Sequence, residues 1–70
     1  MKIDLSYHAK KRLVERDINL ENVKETIEMP DYVISKGNKK GAYKKINNKT
    51  LKVVYFQKDK SIKVITLIWK

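Results

Sequence analysis

The spacing of apolar positions along the chain changes once, at Pro30. Before it, apolar residues recur at helical intervals. Ser6 is placed to cap a helix over 7–17, with Ala9 and Leu13 one turn apart on a single face. Asn19 caps a second helix over 20–29, whose apolar stripe is Leu20, Val23 and Ile27. Glu21 suits the positive end of that helix's dipole, and Pro30 stops it. Asp17 and Ile18 make the turn between the two.

After Pro30 the period falls to two. The alternation predicts a short strand over Tyr32–Lys36, a mobile basic loop over 37–41, and strands near 42–47, 50–58 and 61–69. Two-residue hairpin loops at Asn48-Lys49 and Asp59-Lys60 give a consistent register. It sets Ile46 opposite Leu51, Val53 opposite Thr66 and Tyr55 opposite Val64. One sheet face then carries Ile46, Leu51, Val53, Tyr55, Val64 and Ile68, suited to packing against the helices. The other carries Tyr43, Lys45, Lys52, Val54, Phe56, Lys63, Ile65, Leu67 and Trp69. That outer face is too apolar and too basic for ordinary solvated surface. The expected fold is α+β: two N-terminal helices on one face of a small, mostly antiparallel sheet of three to four strands.

Seventy residues support a single domain, 1–70, whose core buries only about 60% of the unfolded surface. With no cysteine and one histidine, thiolate chemistry is excluded and a metal or other cofactor is not expected. No apolar run reaches the roughly 18 residues of a membrane span, so a cytoplasmic, membrane-independent protein is expected.

Charge alters the picture more. The net charge is +9, and it is segregated. Residues 1–31 hold six basic and seven acidic groups, whereas residues 32–70 hold eleven lysines against Asp59. Such a field attracts nucleic acid first, an acidic protein second and an anionic membrane surface third. A lysine-rich composition, with 15 Lys, 8 Ile and 5 Asn, accounts for the total but less well for the segregation.

Against that lysine background the two arginines, Arg12 and Arg16, stand one helical turn apart. The guanidinium fork grips phosphate or carboxylate in a way lysine does not. At about 100° per residue from His8, Arg12 falls near 40°, Glu15 near 340° and Lys11 near 300°, making one polar stripe with Arg16 on its border. Glu15 is placed either to pair with Lys11 or to orient Arg12. An exposed amphipathic helix with an incidental histidine explains the same spacing.

The run His8-Ala9-x-x-Arg12-x-x-Glu15-Arg16, followed by Ile18-x-x-Glu21-x-Val23, Pro30-Asp31 and Leu51-x-Val53-Val54-Tyr55, resembles a family of small domains of unknown function. That family is similar to the RelE-like class, which includes BrnT-type ribonuclease toxins of toxin–antitoxin pairs. The resemblance implies two helices laid on a small antiparallel sheet, and metal-independent RNA cleavage. Such cleavage needs a base for the ribose hydroxyl, cations for the phosphorane and an acid for the leaving oxygen. His8 would be the base. Arg12 and Arg16 would steady the charge, and Glu15 would act as a base or orient an arginine. Tyr43, Lys45 and Lys52, with Lys39 and Lys40 of the basic loop, would hold RNA.

Two rival readings stand beside this one. The first is a non-catalytic module binding nucleic acid through the basic, aromatic face. The second is a protein-interaction module in which Phe56, Leu67 and Trp69 contact an acidic antitoxin or a second copy. If the first helix covers the opposite sheet face, the arginine stripe and the lysine face are separate sites.

Overall fold

The computed structural model describes residues 2–70. In chain order the elements are β1 (Lys2–Leu5), α1 (Tyr7–Glu15), α2 (Leu20–Glu28), β2 (Tyr32–Lys36), β3 (Lys39–Ile46), β4 (Lys49–Lys58) and β5 (Ser61–Trp69). The strands form one sheet in the order β1-β5-β4-β3-β2, antiparallel except where β1 runs parallel to β5. This is the expected α+β class with a larger sheet. The unforeseen fifth strand, β1, has only Ile3 and Leu5 as apolar residues and exists by docking on β5.

Each helix starts where its cap dictates. The Ser6 hydroxyl accepts from the Ala9 amide at 3.1 Å, and the Asn19 amide oxygen accepts from the Asn22 amide at 2.8 Å. α1 stops two residues earlier than its pattern suggests, because Asp17 turns left-handed at φ 52°. Three hairpins follow. Their first loop residues, Gly37, Asn47 and Asp59, are all left-handed, and all are types that tolerate it.

Two expectations about the loops are corrected here. Residues 37–41 are not a mobile loop: Gly37-Asn38 is a tight turn, and Lys39 and Lys40 already pair with β2 and β4. The next turn is Asn47-Asn48 rather than Asn48-Lys49, so Leu51 faces Lys44 and Ile46 faces Lys49.

The larger correction lies in β5. Tyr55 pairs with Val64 as expected, but Val54 pairs with Thr66 and Val53 with Leu67. Ile65 is therefore an extra residue, a β-bulge that reverses the facing of everything after it. Leu67 and Trp69 turn toward the helices, and Ile68 turns away. The bulge is tied down by Ser6, whose hydroxyl donates to the Ile65 carbonyl at 2.9 Å.

The helices cover one face of the sheet, α1 over β5 and α2 over β3 and β4. Between the layers lie Ala9, Ile18, Val23 and Ile27 from the helical half. From the sheet come Ala42, Leu51, Val53, Tyr55, Ile62, Val64 and Leu67. Neither helix packs extensively on β2, whose five residues are all exposed.

Candidate nucleic-acid interface

Among the described residues nothing covers the face away from the helices, and strand register determines what it presents. Across β2, β3 and β4 the outward residues form three rows: Tyr32–Tyr43–Lys52, then Ile34–Gly41–Val54, then Lys36–Lys39–Phe56. Successive rows stand about 7 Å apart along a strand. Gly41 occupies the centre. Because it lacks a side chain, the middle row sinks into a trough of about 620 Å³ walled by the other two.

The walls carry aromatic rings and lysines in contact. Tyr32 and Tyr43 stack with centroids 4.5 Å apart and planes 10° from parallel. Lys52 sits 5.4 Å from the other side of Tyr43, and Lys39 lies 5.9 Å from the Phe56 ring. Tyr43 is thus sandwiched and almost fully buried, a support rather than an open stacking platform. The rings left open are Tyr32 and Phe56. Lys45, beside Thr50, and Lys63, beside Phe56, extend the positive field on the same face. The acid whose strand position faces this side is Asp4, out on β1.

Of the other expected site residues, Lys40 has inward parity and donates to Gln57 Oε1 at 3.4 Å, while still lining the trough. Leu67 is fully buried and Trp69 packs against the core, so neither belongs to an outer surface; Phe56 does. Tyr32, in the row beside the trough, and Ile34, Lys36 and Gly41, which line it, are not singled out by periodicity. The signal for the first three was the alternation 32, 34, 36. It becomes informative only once β2 is known to lie beside β3.

The helix-1 set lies in the helical layer, with the sheet between it and the trough. Arg12 Nη1 and Glu15 Oε1 form an ion pair at 2.7 Å, so the carboxylate orients this arginine. His8 is exposed, with its ring edge-on to Tyr7 at 6.1 Å. Arg16 is not part of this stripe. Its Nη1 donates to the Leu67 carbonyl at 2.6 Å, and its own carbonyl accepts from Trp69 Nε1 at 2.9 Å. That stretch of β5 lies beyond the end of β1, where no strand takes its bonds, and Arg16 closes the edge. The two arginines therefore serve different ends.

Among the described residues no group of three His, Cys, Asp or Glu could hold a metal ion, and no helix is long and apolar enough to cross a membrane.

Fold and surface together describe a small α+β domain with one helix-covered sheet face and one bare, basic, aromatic face. The chain belongs to the family described as Domain of unknown function (DUF4258), whose profile matches residues 5–69. No curated protein and no solved structure matches it.

Proposed function

We propose that this is a RelE-like, RNA-acting protein that holds single-stranded RNA on the bare face of its sheet. The observation that carries the reading is the trough over Gly41, floored by Ile34 and Val54 and flanked by Tyr32, Phe56 and a ring of lysines. Bases on an apolar floor beside open aromatic rings gain about 1–3 kcal/mol each by stacking, whatever their identity. The surrounding lysines meet the phosphates. The layout of two helices on one sheet face agrees with what the RelE-like resemblance implies.

Cleavage is the second reading, favoured by the Arg12 fork that Glu15 holds in the same stripe as His8. It would need RNA to reach the helical layer. Binding in the trough does not.

The test measures anisotropy of a labelled single-stranded RNA, with and without EDTA. Gly41→Leu fills the trough. A Cβ there would meet Lys52 Cε at 3.5 Å and Tyr43 Cε1 at 3.7 Å, ordinary contacts, and Gly41 has no left-handed backbone to strain. This variant should fold normally and bind at least tenfold more weakly, as should Lys39→Ala with Lys52→Ala. Unchanged affinity in both would refute the trough. Strand scission in EDTA that vanishes in His8→Ala and Arg12→Ala would establish the cleavage reading.

A further inference from the structure

The sheet has two edges, and they are treated differently. The β1 edge is short and carries Lys2 and Asp4, and beyond it Ser6 and Arg16 close the rest of β5. Charged, short or covered edges resist pairing with another chain. The β2 edge, five residues long with its one charge at Lys36, is less guarded. From Tyr32 to Ser35 it has no charge, proline or bulge, and Tyr32, Val33 and Ile34 are exposed large apolar residues.

Hairpin geometry identifies the free groups on that edge. The two-residue turn Gly37-Asn38 is closed by the pair Lys36 and Lys39. In such a hairpin the closing residues exchange both backbone bonds, and every second residue does likewise. Lys36, Ile34 and Tyr32 thus bond inward to β3. The amides and carbonyls of Val33 and Ser35 point outward.

We infer that β2 is a self-association edge, pairing antiparallel with the β2 strand of a second copy about a twofold axis through Ile34. The sequence is self-complementary in this register. Val33 meets Ser35 of the other chain and exchanges two backbone bonds, and the twofold repeats them. Ile34 meets its own copy. Lys36 comes opposite the exposed Tyr32 ring, the cation-on-ring pairing this face already uses at Lys52–Tyr43 and Lys39–Phe56. The axis is perpendicular to the sheet, so both bare faces lie on the same side and the two troughs join into one basic surface.

Size and charge set the strength. A five-residue seam is about 17 Å long and buries well under the roughly 800 Å² per partner of a standard stable interface. Each copy also carries +9. The dimer is therefore weak and reversible, and it tightens as salt screens the repulsion.

Sedimentation velocity on the full chain from 10 µM to 1 mM, in 50 and 500 mM NaCl, tests this without RNA. The expected result is a concentration-dependent dimer favoured at high salt. Val33→Lys and Ser35→Pro should each weaken it at least tenfold, with unchanged circular dichroism. Ser35 donates no bond to β3, so proline costs the fold little there; if that variant unfolds, Val33→Lys alone decides. Amide exchange at Val33 and Ser35 should slow with protein concentration, while exchange at Ile34 should not. A monomer at 1 mM in both salts overturns the inference. So does a dimer indifferent to both variants, or an edge whose Val33 and Ser35 amides are protected only by an added acidic peptide.

Discussion

Replacing Arg16 with alanine should lower the melting temperature markedly, whereas replacing Arg12 should barely move it. The Arg16 guanidinium reaches a β5 carbonyl that no strand serves, at 2.6 Å. A hydrogen bond to a charged donor contributes about 1.5–3 kcal/mol. Arg16 is half-buried, and a freed Leu67 carbonyl recovers some hydration, so the lower end applies: about 1.5 kcal/mol. For a domain of this size, each kcal/mol moves the midpoint by about 4–8 °C, which gives a fall of roughly 6–12 °C. Arg12 makes a one-turn ion pair with side chains 37% and 45% exposed. Exposed pairs of this kind contribute about 0.3–0.5 kcal/mol, or less than about 4 °C. Melts followed by circular dichroism, with urea titrations to confirm equal slopes, separate the two. Arg16→Lys should fall between them, since lysine keeps the charge but loses the rigid fork. An Arg16→Ala protein melting within 2 °C of wild type, as an order-of-magnitude bound, would refute the edge-closing role. Equal losses at both arginines would do the same.

RNA affinity should be strongly salt-dependent. With about six lysines on phosphates it should drop by roughly 2.5 to 3 orders of magnitude between 50 and 200 mM salt, and a nearly flat response would argue against RNA. Leu67→Ala should cost about 2–5 kcal/mol in urea unfolding, and Phe56→Ala, on the exposed face, clearly less. Equal costs would put Leu67 back on the outer face. Burial pushes the Tyr55 phenol above its ordinary range. Unfolded tyrosine ionises near pH 10 while the folded group stays neutral, so its contribution is intact below about pH 10 and fades as pH rises toward the folded value. The urea midpoint should decline over that alkaline range, and Tyr55→Phe should flatten the decline. If the two proteins decline in parallel, burial of this phenol is not the cause.

Much of the molecule was legible in the chain because the deciding interactions are local. The helices begin at Ser6 and Asn19 since each cap bonds an amide three residues on. Tyr43, Lys45, Lys52, Val54 and Phe56 were assigned correctly to one face even though the turn before β4 was misplaced. The true pairing of Ile46 with Lys49, in place of Leu51, differs by two residues, and a slip of two preserves facing.

What the chain could not show is set by partners distant along it. One extra residue at Ile65 reverses Leu67 and Trp69, and it is held by Ser6, 59 positions away. β1 has too few apolar residues to announce itself and is a strand only against β5. Arg12 and Arg16 look alike in sequence. The stretch of β5 left unpaired beyond β1, 51 positions on, takes Arg16 for the fold and leaves Arg12 at the surface. The trough has the same origin: Gly41 is a hollow only because Ile34 and Val54 flank it on neighbouring strands. Local bonding sets the elements, while a single bulge and the order of strands across the sheet decide which side chains meet.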